Sequence, residues 1–424
     1  MKKSIYLSFL ALMPFLTEAQ VTEVNYDESK IPSYILPDPL VFNDGSKVLN
    51  KIDWDKRRIE IYKLFENEVF GKSPEWHGTV EVSEIFRKDN DLDGLATRKE
   101  IELSLINAGK SLKMNLIVYL PHSFKPVPVF IGYNFVGNQS ISRDPSIAIT
   151  PSWVGNHMPG ILHNKATEAS RGVEASRWPL KEIVSRGYGV ATIYYGDVDP
   201  DYDDGFKNGV HSLFNQQRDS SSWGSISAWA WGLSRAMDYL EKASGVDAKK
   251  VIVIGHSRLG KTALWAGASD QRFAIVISNN SGCGGAALSK RIFGETVRSI
   301  TTDFPHWFCD NFKKYNDREE NLPVDQHELI ALIAPRPVYV ASSEEDLEAD
   351  PEGEFLSCVA ASPVYELLGL KRFPAVAMPP VDHPVMGSIG YHIRTGVHDI
   401  TLYDWERYMD FADLHFKKNK TNRR

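Results

Sequence analysis

One segment limits the possible folds of this chain more than any other: residues 251–261, which read VIVIGHSRLGK. The alternating valine and isoleucine of residues 251–254 predict a short buried strand, which ends at Gly255. Residues 259–268, LGKTALWAGA, are compatible with a helix. A strand, a sharp turn and a helix with Ser257 at the apex match a nucleophile elbow, in which the serine Oγ stands above the carboxyl edge of a sheet.

The predicted helix after Ser257 places backbone N–H groups and a positive dipole end where a tetrahedral oxyanion would develop. Glycines at positions 255 and 260 give the turn room. The generic G-x-S-x-G pattern is not met, because Leu259 is the second residue after the serine and the glycine comes one residue later. The turn alone therefore leaves open that Ser257 is only a helix N-cap.

Short apolar runs rich in β-branched residues recur between helical patterns, at residues 116–120, 127–133, 190–195, 251–254, 274–277, 338–341 and 375–378. Buried strands that alternate with helices predict an α/β-hydrolase fold, with a mostly parallel central sheet covered by helices on both faces. One helix is predicted from Ser225 to Ala243, with Gly245 as its stop. No repeat or long linker follows Gln20, so we expect residues 20–424 to form a single α/β-hydrolase domain.

The N-terminus has the layout of a secretory signal peptide. Two lysines precede an apolar stretch from Ile5 to Phe15, and residues 17–19, TEA, offer a cleavage site before Gln20. We therefore expect residues 1–19 to be removed and the mature protein to be secreted or periplasmic. The apolar stretch is shorter than the roughly 20 residues that cross a bilayer, so we expect no membrane association.

Composition argues against several partners. The formal net charge is −7, so neither nucleic acid nor an acidic membrane surface is an expected partner. The three cysteines, Cys283, Cys309 and Cys358, are too few for a disulfide framework and lack the spacing of a metal site. One pair can bridge in an oxidising compartment, and the sequence leaves open which one.

The turn also resembles the sequence signature of one particular family of hydrolases. The pattern G-x-S-R-x-G-K, which covers residues 255–261 here, is the signature of carbohydrate esterase family 15, the glucuronoyl esterases and their bacterial relatives. Four further segments resemble that family in order and spacing: residues 195–201 (YGDVDPD), 279–289 (NNSGCGGAALS), 345–355 and 396–398 (GVH). Together they are far more specific than any one of them.

A serine nucleophile needs a base, and this fold usually places it last in the order serine, acid, histidine. Topology alone favours His383, because it closely follows the predicted strand at residues 375–378. His392 and His398 lie farther along the chain. The resemblance implies that His398 is the catalytic histidine.

The acid that orients the base is expected at Asp346, which follows the predicted strand at residues 338–341. Glu344 and Glu345 are near enough in sequence to be confused with it. The family also uses a second acid position, which is Asn280 here, and an asparagine cannot compensate the charge of an imidazolium. Asp346 is therefore the predicted acid.

The resemblance assigns further roles. It implies that the side chain of Arg258 stabilises the oxyanion, and that Lys261 and Glu295 hold the hydroxyls of a uronic acid. Without it, Lys261 and Glu295 would each be read as a solvated charge. Glu348 departs from the family, which usually has a tryptophan there as one wall of the sugar site. A stacking surface is lost and a negative charge gained, so we expect Glu348 to alter substrate binding.

The predicted chemistry is acyl transfer: Ser257 attacks an ester carbonyl, His398 passes the proton to the leaving alcohol, and water then releases the acid. No metal or organic cofactor is needed. The resemblance implies a hexuronic acid as the acyl part, typically 4-O-methyl-glucuronic acid, in a plant cell-wall polysaccharide. It therefore predicts a secreted glucuronoyl esterase, which we expect to be a monomer.

Two other ester hydrolases fit the same catalytic residues: an acetyl xylan esterase and a pectin-type uronate methylesterase. The acetyl esterase would not need Lys261 and Glu295 beside a sugar ring. A non-enzymatic alternative is a carbohydrate-binding protein that kept the hydrolase fold. It requires a broken triad, whereas Ser257, His398 and Asp346 are all present.

Overall fold

The structure is a computed structural model that describes residues 24–215 and 217–417. The predicted signal peptide, residues 1–19, lies outside the described residues, so export remains a prediction. The strands are β1 Thr79–Asp91, β2 Ala96–Asn107, β3 Lys110–Pro121, β4 Val127–Asn134, β5 Ile161–Leu162, β6 Lys165–Ala166, β7 Gly189–Tyr194, β8 Val246–His256, β9 Ile275–Asn279, β10 Val338–Ser343 and β11 Ile389–Arg394. The α-helices are α1 Lys51–Glu68, α2 Leu180–Ser185, α3 Ser225–Leu240, α4 Arg258–Ser269, α5 Val297–Asp303, α6 Gln326–Ala331, α7 Pro351–Leu367 and α8 Leu402–Lys417.

The central sheet contains nine strands of the described ranges, in the order β1-β2-β3-β7-β4-β8-β9-β10-β11. From β7 to β11 all neighbours pair in parallel. At the other end, β1 pairs with β2, β2 with β3 and β3 with β7 in antiparallel fashion. The predicted mostly parallel sheet is confirmed, whereas the single domain over residues 20–424 remains a prediction. Within the described ranges, no helix is both long and apolar enough to cross a membrane.

Helices cover both faces of the sheet because its strands are apolar on both. In β8, Val251 and Val253 pack into a core with α1, α3, α4 and α7. Ile252 and Ile254 pack on the opposite face with α2 and α8. Successive side chains of a strand point to opposite faces, so an unbroken apolar run requires two covering layers. The three-layer arrangement expected from the sequence is confirmed.

One predicted strand was wrong. Residues 375–378 form no strand, and Val376 is 87% exposed, because prolines 374, 379 and 380 flank the run and lack the N–H that a sheet needs. The last strand is instead β11, whose polar residues His392 and Arg394 obscured it in the sequence. The helix predicted to Ala243 ends at Leu240.

The parallel strands bring distant segments to one edge of the sheet. Ser257 directly follows β8, Asn280 follows β9, Asp346 comes shortly after β10 and His398 shortly after β11. Because β8 to β11 are parallel neighbours, these residues lie at the same carboxyl edge, where α/β sheets bind ligands.

Candidate active site

Ser257 occupies the sharp turn between β8 and α4, with φ 58° and ψ −131°. A positive φ is uncommon outside glycine, and it marks a strained residue that its surroundings hold in place. The Ser257 backbone N–H donates to the carbonyl of Asn279 at 2.9 Å. Gly255 must be glycine, because a Cβ there would overlap the carbonyl oxygen of Leu259. Among the described residues, the Ser257 hydroxyl caps no N–H of α4, which argues against the N-cap alternative.

His398 and Asp346 form a hydrogen-bonded pair, with 2.6 Å between His398 Nδ1 and Asp346 Oδ2. The side chain of Asp346 is 7% exposed and that of His398 is 42% exposed, so the carboxylate is buried while the ring reaches the pocket. Burial alone would raise the pKa of Asp346. The hydrogen bond and charge of His398, together with the amide of Asn280, hold that pKa below its usual value.

The other candidate histidines lie elsewhere. His383 is exposed, and its Nδ1 is 2.9 Å from the carbonyl of Val381. His392 is fully buried in β11, with its Nε2 2.8 Å from Asp404 Oδ1. His392 and His398 each pair with an aspartate, and it is the His398–Asp346 pair that lines a pocket with Ser257.

Asn280 supports the acid, a role that sequence reasoning missed. Its Nδ2 donates to Asp346 Oδ2 at 2.7 Å and to Ser343 Oγ at 2.8 Å. Two donors to one carboxylate oxygen, from Asn280 and His398, fix the Asp346 side chain in one orientation. Glu344 and Glu345, which the sequence left as neighbouring alternatives, are exposed.

Arg258 lies beside Ser257 and is held by Asp201, to which its guanidinium donates. The same carboxylate accepts hydrogen bonds from Tyr195 Oη at 3.0 Å, His306 Nε2 at 2.9 Å and Trp307 Nε1 at 2.7 Å. Burial would raise the pKa of Asp201, but the bond from His306 and the charge of Arg258 outweigh it and lower the pKa. Asp201 belongs to YGDVDPD, one of the segments on which the family resemblance rests. Its ion pair with Arg258 could not be predicted from the spacing of the two residues along the chain.

Lys261 and Glu295 meet on the same side of the pocket as Arg258. Lys261 is buried, and its Nζ donates to the carbonyl of Ser281 at 2.6 Å and to Glu295 Oε2 at 3.2 Å. Burial raises the pKa of Glu295 more than the charge of Lys261 lowers it, and the charge of Glu348 adds to the rise. The backbone N–H of Glu295 donates to the carbonyl of Glu348 at 2.9 Å, so the segments that carry these two carboxylates are hydrogen-bonded to each other.

The residues enclose a pocket of about 290 Å³. Its lining, among the residues that the structure describes, consists of Ser257, Arg258, Lys261, Asn280, Ser281, Gly282, Glu295, Phe304, Trp307, Asp346, Glu348, Ala349 and His398. Every site residue predicted from the sequence is among them. Glu348 lines the pocket and is exposed.

Tyr26 packs edge-on against Phe293, with 6.1 Å between the ring centroids. Burial and the charges of Glu348, Asp346 and Glu295 raise the pKa of its hydroxyl. The carbonyl of Asn25 accepts from the N–H of Gly294 at 2.9 Å and fastens the segment that carries Tyr26.

A buried network holds the loop that carries His398. Arg394 donates to the carbonyls of Thr395, Val397 and Asp399 at 2.9, 3.0 and 2.6 Å, and its Nε donates to Asp404 at 2.9 Å. Asp404 is fully buried. The guanidinium therefore ties the loop to α8, and its charge is neutralised inside the protein.

His256 packs against His398, with 4.5 Å between the centroids of the two rings. Its Nδ1 is 2.6 Å from Asn279 Oδ1, and Asn279 Nδ2 donates to Tyr408 Oη at 2.8 Å. Burial and the neighbouring His398 lower the pKa of His256 well below its usual value. A neutral His256 ring thus supports one face of the exposed His398 ring.

The cysteines form no disulfide. Cys283, Cys309 and Cys358 are all buried free thiols, so the pairing left open by the sequence does not occur. Burial raises the pKa of Cys309 to about 12, which keeps this thiol protonated. In the part of the chain that the structure describes, no cluster of three or more histidine, cysteine or acidic side chains is arranged to hold a metal ion.

A mostly parallel sheet covered on both faces, a strained serine at the β8–α4 turn and a histidine–carboxylate pair in the same pocket define the class of α/β-hydrolases. A family model for fungal glucuronyl esterases matches residues 172–369. A carbohydrate esterase of an unknown prokaryotic organism is 50% identical over 404 residues, which are 94% of this chain and 93% of that protein. The 4-O-methyl-glucuronoyl methylesterase of Schizophyllum commune is 30% identical over 384 residues, 87% of this chain and 83% of that protein.

Solved structures of similar proteins indicate the same family. A promiscuous CE15 esterase from a marine bacterial metagenome is 50% identical, with a TM-score of 0.88 and coverage of 92% of this chain and 100% of that one. The glucuronoyl esterase of Solibacter usitatus is 46% identical, with a TM-score of 0.85 and coverage of 91% and 99%. The chain belongs to carbohydrate esterase family 15, the glucuronoyl esterases. It is a carboxylic ester hydrolase, and the predicted family, fold and enzyme class are confirmed.

Proposed function

We propose that this protein is an exported glucuronoyl esterase in which Ser257 is the nucleophile, His398 the base and Asp346 the acid that orients the base. The observation that supports this most is that Ser257, the His398–Asp346 pair and the Lys261–Glu295 pair line one pocket. A catalytic triad alone fits any ester. A buried lysine and a carboxylate beside it fit an acyl group that carries hydroxyls.

In the proposed reaction, His398 Nε2 takes the proton of Ser257 as Oγ attacks the ester carbonyl. Asp346 accepts from Nδ1 at 2.6 Å, which leaves Nε2 as the basic nitrogen and stabilises the imidazolium that forms. The imidazolium then gives its proton to the leaving alcohol. Water attacks the acyl-serine with His398 again as base, and the free acid leaves.

The oxyanion of the tetrahedral intermediate is stabilised by the start of α4 and by Arg258. The first N–H groups of a helix have no partner within the helix, so those after Ser257 can donate to the oxyanion. The Arg258 guanidinium adds a positive charge whose position is fixed by Asp201. A guanidinium has five N–H donors, so its bond to Asp201 leaves others for the substrate.

Lys261 and Glu295 are proposed to bind the hydroxyls of the uronic acid. The ammonium of Lys261 has three donors, and the contacts with Ser281 and Glu295 occupy two of them. The third donor, and the remaining acceptor capacity of Glu295, are available to sugar hydroxyls. We propose a uronic-acid-containing plant polysaccharide as the substrate and a monomer as the active form. The exposed carboxylate of Glu348 would repel a further uronate nearby, so it favours substrates of low charge density.

The test compares four substrates side by side: methyl glucuronate, benzyl glucuronate, methyl galacturonate and acetylated xylan. We expect the two glucuronate esters to have the highest kcat/KM. Lys261→Ala should lower kcat/KM on the glucuronates while sparing a minimal acetate ester, because a contact with sugar hydroxyls matters only where hydroxyls exist.

Ser257→Ala is the control for the catalytic centre, and it should lose at least about a thousandfold in kcat while remaining folded. Preference for acetylated xylan would instead assign an acetyl esterase, and preference for methyl galacturonate a pectin-type methylesterase. An equal loss on acetate and glucuronate in Lys261→Ala would mean that Lys261 supports the fold rather than the substrate.

A further inference from the structure

Few of the side chains that line the pocket are apolar. Among the lining residues, only Phe304, Trp307 and Ala349 have apolar side chains, within the ranges that the structure describes. Phe304 and Trp307 form a stacked pair with ring centroids 3.8 Å apart and an angle of 6° between their planes. The pocket therefore has one flat apolar wall in a polar lining.

The two rings of this wall have different roles. Trp307 is 3% exposed and its Nε1 donates to Asp201 at 2.7 Å, so its position is fixed and little of its surface is accessible. Phe304 lies at the end of α5 and is half-buried, so it presents the accessible surface of the pair. Trp307 thus serves as a rigid backing for the Phe304 ring.

The wall lies on the side of the pocket that the acyl group is expected to occupy. The Arg258 guanidinium carbon is 4.9 Å from the Trp307 ring centroid and 5.7 Å from that of Phe304. Lys261 Nζ is 5.9 Å from the Trp307 ring centroid. A sugar bound through its hydroxyls to Lys261 would have its carbon-bound hydrogens within reach of the aromatic pair.

We propose that Phe304, backed by Trp307, is the stacking surface for the pyranose ring of the uronic acid; this inference rests on the proposed function. A pyranose has a face of C–H groups that packs on an aromatic ring and loses water in doing so. Polar contacts alone orient the sugar, whereas the stacked face adds binding energy. The residue thereby determines preference for a cyclic acyl group over a small one such as acetate.

Phe304→Leu tests the proposal, since leucine keeps an apolar side chain and removes the flat ring. We expect KM for methyl glucuronate to rise about two- to tenfold, with little change in kcat. Phe304→Trp should retain low KM values. Phe124→Leu is the matched control, because Phe124 is fully exposed in the loop before β4, at the opposite end of the strands from the site.

Three substrates separate the explanations: methyl glucuronate, benzyl glucuronate and a minimal acetate ester. An equal rise in KM for both glucuronates, with the acetate ester unaffected, supports contact with the sugar ring. A larger penalty on the benzyl ester would overturn the proposal, because the ring would then contact the alcohol. An equal loss on all three substrates, or no loss at all in Phe304→Leu, also overturns it. Wild-type protein that hydrolyses the acetate ester but neither glucuronate would instead refute the proposed function.

Discussion

Asp201 is the counterion that holds the Arg258 guanidinium in the pocket, so Asp201→Asn tests how far that cation stabilises the oxyanion. The Asp201 carboxylate accepts hydrogen bonds from Arg258, Tyr195, His306 and Trp307. Asparagine has almost the same volume, but it presents one acceptor oxygen and an NH₂ donor to those groups. At least one of them must lose its partner, and the charge that fixes Arg258 is removed.

The magnitude follows from what remains around Arg258. Loss of one oxyanion donor lowers kcat by about 10²–10³-fold in other hydrolases. The guanidinium keeps its contact with the Trp307 ring at 4.9 Å, so we expect a smaller fall in kcat, about 10- to 100-fold, with KM changed less. The side chains of Asp201 and Arg258 are 5% and 21% exposed, so stability should fall by about 3 kcal/mol, the lower end for breaking a buried ion pair.

The assay is steady-state hydrolysis of methyl glucuronate by Asp201→Asn, Arg258→Ala and the double variant. If Asp201 acts through Arg258, the double variant should have the kcat of Arg258→Ala to within about twofold. Asp203→Asn, an exposed acid two residues along, is the control and should match the wild type. A wild-type kcat in Asp201→Asn, together with a loss of kcat in Arg258→Ala, would show that Asp201 does not act through Arg258.

The other predictions concern the base, the rim of the pocket and a buried carboxyl group. His398→Ala and Asp346→Asn should each lose at least about a thousandfold in kcat, whereas His383→Ala should be nearly unaffected, because only the first two break the pair beside Ser257. Glu348→Trp should lower KM for glucuronate esters by up to about tenfold, since it adds a flat apolar surface where the carboxylate offers none. Burial raises the pKa of Glu354 from 4.5 to about 7, so the folded state holds this proton more tightly than the unfolded chain. Stability therefore falls as pH rises through that window, by at most about 3 kcal/mol, and urea unfolding at about pH 5 and pH 8 should show a smaller fall in Glu354→Gln.

A severe loss in His383→Ala with a mild one in His398→Ala would move the base to the other histidine. An unchanged or higher KM in Glu348→Trp would mean that the carboxylate itself binds substrate. Equal pH dependence of unfolding in Glu354→Gln and the wild type would show that the Glu354 carboxyl group does not titrate between the two pH values.

The sequence determined the features whose causes are local. The turn at Ser257 was predictable because a β-branched strand, a glycine and a helix-compatible segment follow one another within residues 251–268. The parallel sheet was predictable because apolar runs covered on both faces leave a continuous pattern. Asp346 was predictable because an acid after the strand that became β10 reaches the same edge of the sheet.

Only the tertiary structure decided which distant residues meet in the pocket. His398 rather than His383 lies beside Asp346 because residues 375–378 form no strand, and β11 takes that place in the sheet. Its polar residues concealed β11 in the sequence, since their partner Asp404 lies on a separate helix. The support of Arg258 by Asp201 and the stacking of Phe304 on Trp307 likewise depend on how loops pack against one another. Spacing along a chain carries no record of such contacts, because packing and burial act between segments that the fold brings together.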